Sequence, residues 1–528
     1  MWLGEPTEYC TSGMRLLQGD VRGDTPDEVE ITSNGERIAA LPPPYQFLVN
    51  CDQEPERMRS FYIHARIGTQ SVLSAPKFLV IDRTPPSVHL RSPGTGTGIR
   101  KDSPIVFGFS EPVRGLSSSA TTLSDESGPL PHTATLSDNG YAVTLVPHAP
   151  LRVPARLQAT FHGGGVSDLA GHPLRESIGR FSWRLLPFVG AGAELSGLSS
   201  TALARNPSTA PWSASRATET GDIQVRQWTG KAWMDFGPAL PGDGSLVALA
   251  LTRGGLPVVA RVEKSGESAL SVRVARWKQF VGWEDLGEPL VANPSGYSAD
   301  SLSIALDSQG HPTVAWHEGF SVHVRRWTGT AWEALGPPIG DILRGASHPR
   351  VTVDSRDRVV LAYAGEPEDT FIDHVFVQLW QEGAWTRLGT RLAGERAWGI
   401  NDVTLALGPD DAPFVAWIEG GAEGQVFAAR WVHGAWEQAP QLGTGPIEDL
   451  SLAADTDGRM LLSWEKTEGS VLGYVWKSVY TADLAQGVWS AGTEACAGFD
   501  PVSTFTPEGA PMLWVDTGSG RYEMFLRQ

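Results

Sequence analysis

Residues 301–339 read SLSIALDSQGHPTVAWHEGFSVHVRRWTGTAWEALGPPI, and this stretch decides the fold. Leu302 to Leu306 alternates apolar with small or polar residues, the pattern of a half-buried strand. Asp307-Ser308-Gln309-Gly310 is turn chemistry, because Asp can accept from the following backbone and Gly tolerates positive φ. Pro312 to Trp316 is a second strand, with its proline at the start where no ladder donor is lost. Val322 to Trp327 is a third strand, Thr328-Gly329-Thr330 turns the chain, and Trp332 to Gly336 begins a fourth. Four antiparallel strands in about fifty residues make one propeller blade.

Working outward, the unit repeats. Trp228 and Trp233, Trp277 and Trp283, Trp327 and Trp332, Trp380 and Trp385, and Trp431 and Trp436 are paired tryptophans, with Trp489 in phase after them. Successive second tryptophans are 50, 49, 53, 51 and 53 residues apart, the spacing of an array of identical units. Each pair flanks a turn and is expected to meet across strands. Packing between neighbouring blades explains this better than sugar stacking, since a ring needs the same large apolar contact at every junction.

First strands are expected near Gly197, Ser245, Ser301, His348, Asp402 and Asp449. A seventh unit, from Pro501, has three strands before Gln528. Phe188-x3-Gly192-x2-Leu195 repeats the spacing of Trp332-x3-Gly336-x2-Ile339, so residues 187–195 are expected to supply the missing outer strand. This predicts a seven-bladed propeller over 187–528, closed by pairing its two ends so that no sheet edge is left open.

The region in front has another texture. Phe109-Ser110-Glu111-Pro112-Val113 ends one apolar strand, Leu145-Val146-Pro147 ends a second, and Val166 to Leu174 forms a late turn containing Asp168, Gly171 and His172. This order resembles the bacterial Ig-like domains of surface-layer proteins, with His172 where an asparagine is usual. The resemblance covers about a hundred residues and implies a β-sandwich over 84–186, not an activity. Residues 1–83 read as a further Ig-like or fibronectin-like sandwich, with a hairpin signal at Asn34-Gly35 and alternation over Phe61, Ile63, Ala65 and Ile67. It closes on Val80 to Pro86, a V-x-D-x-T-x-P junction resembling those between tandem Ig-like repeats. Asp82 reads as part of a linker turn, since no second carboxylate cluster accompanies it in sequence. The fold class is therefore all-β: two Ig-like sandwiches followed by the propeller.

Composition agrees. Of 528 residues, 41% are hydrophobic and only 19% charged, with 59 Gly and 38 Pro, which suits short strands and tight turns. A net charge of −18 disfavours nucleic acid and anionic membranes, and no apolar run is long enough for a membrane-spanning helix. Cys10 and Cys51 are expected to pair if the compartment is oxidising, leaving Cys496 free. The first residues show no basic and apolar leader, so the expectation is either a cytosolic protein or an exported one whose signal is absent from this sequence.

Motifs for a serine hydrolase, a zinc protease, a C-x-x-C site and a phosphate loop are absent. Asp307-x2-Gly310-x5-Trp316 does not have the spacing of a sialidase Asp-box, and no arrangement of arginines in the sequence marks a carboxylate-binding cluster. Asp455-Thr456-Asp457-Gly458 reads as an ordinary turn, since the rest of a calcium-loop series is missing. No cofactor and no metal are expected. Loops after the second strands hold acids in six blades, chief among them Glu318, Glu368, Asp369, Glu419 and Glu465, which would focus negative potential on one rim. They are the candidate binding residues, for a basic partner or a cation, against the plainer reading of a solvated rim. The functional expectation is a monomeric, non-enzymatic extracellular binding or adhesion protein with a protein or glycan ligand. The alternatives are a secreted sialidase-like glycosidase and a structural part of a surface assembly.

Overall fold

The computed structural model describes residues 1–528 except 94–98, 118, 163–164, 175–178, 205–209, 243–245, 266–268, 291–298, 341–342, 368–371, 393–398, 421–422 and 472–473. The chain divides into two compact units, Met1–Leu185 and Leu186–Gln528.

In the first unit, strands up to Ile81 form their own sheets. Thr7–Cys10, Lys77–Ile81, Met58–Ile67, Glu28–Ser33 and Glu36–Ala40 lie side by side in that order, and Met14–Gln18 pairs with Gln46–Asn50. The alternation read at Phe61 and Ile63 buries both, Phe61 with Leu17, Ile31, Val49 and Leu79, and Ile63 with Val29 and Leu41. Cys10 and Cys51 are disulfide-bonded across this core. Asn34 and Gly35 both have positive φ, at 52° and 80°, as a tight hairpin between twisted strands requires.

Strands from Val88 onward build a second sandwich. One sheet runs His132–Leu136, Ala142–Pro147, Ile105–Phe109, Val88–Ser92; the other runs Gly128–Pro129, Thr121–Asp125, Ala155–Phe161, Gly179–Leu185. Phe107, Leu145, Phe161 and Trp183 fill the space between them.

Among the described residues, the second unit contains seven antiparallel sheets, each built on a path of four strands, and the fifth and sixth carry an additional short strand. Their first strands are Leu198–Ala204, Val247–Leu251, Ala299–Leu306, Ala346–Val353, Ile400–Leu407, Ile447–Ala454 and Phe499–Phe505. Each first strand packs against the next, and the seventh packs against the first, so the sheets form a ring with the first strands innermost. We number these blades 1 to 7. Blade 7 takes its outer strand from Phe188–Leu195, which pairs antiparallel with Tyr522–Arg527. The backbone N–H of Gln528 donates to the Pro187 carbonyl at 2.9 Å, and Phe188 is fully buried. The ring is a seven-bladed β-propeller closed by the strand that precedes blade 1.

The tryptophan pairs explain how adjacent blades lock. Each pair is directly cross-strand, as in Trp431 with Trp436, whose ring centroids are 5.1 Å apart. In blades 2 to 5 the second indole N–H then reaches the preceding blade. Trp283 donates to Pro238 O at 2.9 Å, and Trp332, Trp385 and Trp436 donate to Leu286 O, Leu335 O and Leu388 O, each at 2.7 Å. An apolar ring with one polar edge therefore buries area and satisfies an otherwise unpaired carbonyl in one contact. The turns after the first strands add a second link. Ser308 of blade 3 donates through N and Oγ to Asp357 of blade 4, at 2.7 and 2.6 Å.

Candidate functional site

Glu318 and Glu419 end the second strands of blades 3 and 5, and Glu465 lies inside the longer second strand of blade 6. They are 7%, 2% and 1% exposed. The strands extend further than the sequence reading allowed, so these acids sit within sheets. Side chains two apart on a strand share a face, which places Glu318 beside Trp316. The Trp316 indole N–H donates to Glu318 Oε2 at 3.1 Å. These three candidate binding acids are therefore buried in sheets and not displayed on rim loops as the sequence suggested. Glu368 and Asp369 lie outside the described residues.

Glu465 belongs to a charged cluster at the inner ends of blades 5 to 7. Lys477 Nζ bridges Glu465 and Glu448, the latter at 2.7 Å. Glu465 Oε2 accepts from the backbone N–H of Asp500 at 2.9 Å. Burial raises the Glu465 carboxyl, while Lys477 opposes that shift. The Glu448, Asp449 and Glu465 oxygens lie within 4.8 Å of one another, and the Lys477 ammonium supplies a positive charge to two of them. Asp449 is held above its ordinary range, first by partial enclosure in the ring, then by Asp500, Glu465 and Asp402, and it is hydrogen-bonded to Asp500. Its residue surface is still exposed, so enclosure and acidic neighbours act together on a group that water can reach. Asp402 accepts from Arg350 Nη2 at 3.0 Å and from Leu450 N at 2.9 Å, tying the inner strands of blades 4, 5 and 6.

The Asp455 turn is structural. Oδ1 accepts from Asp457 N and Arg459 N at 2.9 and 2.8 Å, and Oδ2 accepts from Arg459 Nε at 2.5 Å. Asp354 makes the same set with Arg356 and Arg358 in blade 4.

A cavity of about 710 Å³ opens where blade 3 meets blade 4. Arg344, Arg387 and Arg391 line it together with Tyr363, Phe376 and Glu366. Tyr363 and Phe376 are adjacent cross-strand residues stacked at 5.4 Å, held by the core between the blades. The Arg387 guanidinium lies over Phe376 at 4.5 Å from the ring centroid. Arg344 donates to the Pro367 carbonyl on the cavity wall. Gln378 Nε2 donates to Tyr363 Oη at 2.7 Å, which leaves the hydroxyl proton free to be given elsewhere. Burial pushes the Tyr363 hydroxyl up to about 12, so it stays protonated at neutral pH. The three arginines span 48 positions without a motif, and no pattern in the sequence marks them.

In the first unit, Asp82 is not isolated. Ligand-type atoms of Asp82, Asp168 and His172 lie within 4.8 Å of one another, and Glu111 is hydrogen-bonded to Asp82. This corrects the linker-turn reading of Asp82 as a lone carboxylate, because folding brings three distant segments to one junction. Asp168 is fully buried and accepts from Gly171 N, His172 N and His172 Nδ1 at 2.6 to 2.9 Å, which shapes the late turn. Burial first, then Asp82 and Asp168, push Glu111 up to about 7.

Comparison with known proteins places part of this chain. Residues 82–184 match the model of the bacterial Ig-like domain family. No curated protein matches the chain. Among solved structures, the chain is similar to a protein from Lactobacillus plantarum at 14% identity, covering 75% of this chain and 96% of that one, with a TM-score of 0.40. It is similar to the alpha-L-arabinanase of Penicillium chrysogenum solved with arabinobiose, at 12% identity over 43% and 78% of the two chains, with a TM-score of 0.33. It is also similar to the SapL1 lectin solved with alpha methyl fucoside, at 16% identity over 57% and 97%, with a TM-score of 0.38. At these scores none of them carries an argument about the site.

Proposed function

We propose that this protein is a non-enzymatic binding protein of the cell exterior, with its two Ig-like modules in tandem before a ligand-capturing propeller. The observation that carries the reading is the cavity between blades 3 and 4. Its walls are fixed by blade cores before any ligand arrives, and several polar groups converge on it from separate strands. Preformed concave sites with a few fixed polar groups are where small ligands bind. The Cys10–Cys51 disulfide supports an oxidising compartment. The test is a glycan and peptide array probed with the full chain, followed by Tyr363→Phe and Arg344→Ala variants. The reading expects a retained ligand whose signal these substitutions reduce. Retention that neither substitution changes would overturn it.

A second reading, a secreted glycosidase, is favoured by the cluster of Arg350, Asp402, Asp449 and Asp500 at the inner strands. A carboxyl held protonated near a second carboxylate is what acid catalysis needs. Against it, hydrogen-bonded Asp449 and Asp500 lie closer than the roughly 5 Å or more that separates the two carboxyls of such enzymes. Release of reducing ends from a panel of polysaccharides, abolished by Asp449→Asn, would establish the enzyme. No release by the wild-type chain would leave the binding reading.

A further inference from the structure

Resting on the binding reading, we propose that the cavity between blades 3 and 4 takes an acidic saccharide, with a carboxylate or sulfate group held by its arginines. The first argument is charge. The protein carries −18 overall, yet the described residues lining this cavity include three arginines against one carboxylate, Glu366. A local reversal of sign in a concave, low-dielectric setting attracts an anion that the rest of the surface repels.

The second argument is geometry. Arg387 stacks on Phe376, which fixes the plane of its guanidinium and leaves its N–H edge for a ligand. Among the described residues no carboxylate forms an ion pair with Arg387. A planar fork of donors held this way suits the two oxygens of a carboxylate or sulfate.

The third argument identifies the rest of the ligand. Glu366 offers acceptors and would repel a bare anion, so the bound molecule must also bring hydroxyl donors. Tyr363 lines the cavity and offers one hydroxyl proton. The faces of Phe376 are covered by Tyr363 and Arg387, so recognition here is polar and does not use sugar-ring stacking. An anionic group joined to several hydroxyls is the chemistry of a uronate or a sulfated sugar.

The experiment is titration calorimetry of the full chain with oligogalacturonate, a sulfated galactose oligosaccharide, and the corresponding neutral galactose oligosaccharide. Arg387→Ala is the test variant. Its side chain is exposed and in no ion pair among the described residues, so unfolding of the variant should match the wild type. Arg22→Ala, in the first unit, is the control. The proposal expects one acidic oligosaccharide to bind, the neutral one to bind at least tenfold more weakly, and R387A to lose about tenfold or more. Binding should also weaken as salt rises. Which acidic sugar binds tells uronate from sulfate. Equal binding of acidic and neutral sugars, or no effect of R387A, overturns this proposal while the binding reading stands. If none of the sugars binds, the proposal is overturned too, and the array result then decides the binding reading by itself.

Discussion

Substituting Gly389 by alanine tests how the blades are locked. Gly389 follows the outer strand of blade 4, has φ +67°, and sits beneath the tryptophan pair of blade 5. A Cβ there would lie 2.6 Å from Trp431 Cζ3, 3.0 Å from its Cη2 and 3.1 Å from Trp436 Cδ1. The same relation holds at Gly237 under Trp277 and at Gly287 under Trp327. Two costs add. A left-handed backbone costs an L-residue about 1 kcal/mol. Forcing a methyl into a packed aromatic contact costs about 1–3 kcal/mol more. Gly434 has φ +85° but would meet nothing within 4 Å, so Gly434→Ala carries the first cost alone. Expected losses are about 1 kcal/mol for G434A and about 2–4 kcal/mol for G389A. Guanidinium unfolding followed by tryptophan fluorescence measures both. A G389A midpoint that matches G434A within about 0.5 kcal/mol would refute the claim that these glycines seat the neighbouring indoles. If the clash is the cause, Trp431→Leu should recover part of the loss in the G389A background.

Replacing Phe188 by alanine, at the closing strand, should cost about 3–5 kcal/mol, since the ring is fully buried and Arg527 lies over it at 4.8 Å. The readout is the unfolding midpoint together with proteolysis of the chain's last strand; an unchanged midpoint would mean that the closing strand contributes little. Reducing Cys10–Cys51, or converting both to serine, frees a loop with a sequence separation of 41 and should destabilise the first sandwich by about 4 kcal/mol, read from thermal unfolding of that unit. Glu111 has a carboxyl raised from 4.5 to about 7 in the folded protein, so the unfolded chain loses this proton first as pH rises. Its stabilisation of the first unit is therefore full below about 4.5 and lost as pH climbs through about 7. Glu111→Gln should flatten that part of the pH–stability curve, and an unchanged slope would show that Glu111 is not the titrating group.

The sequence determined the blade by itself because a blade is a local object. Its four strands and three turns are written in about fifty consecutive residues, and alternation with period two shows which side of each strand is apolar. Repetition carried that reading around the ring, and the Phe188–Leu195 spacing revealed the closing strand because it copies a pattern already present in four other places. The Ig-like module was legible for the same reason, in the short strings around Glu111 and Asp168. What only the tertiary structure decided depends on residues far apart in sequence meeting in space. Glu318, Glu419 and Glu465 look like loop acids in a linear reading, but the second strands run on past the apparent loop and carry them inside. Asp82 looks solitary until Glu111, Asp168 and His172 fold against it. Arg344, Arg387 and Arg391 have no common motif, since Arg344 precedes the first strand of blade 4 while Arg387 ends and Arg391 follows its outer strand, and only folding brings them to one cavity. Chain neighbours fix strands and turns through backbone geometry, whereas electrostatic sites are built across sheets, where sequence separation says nothing about distance.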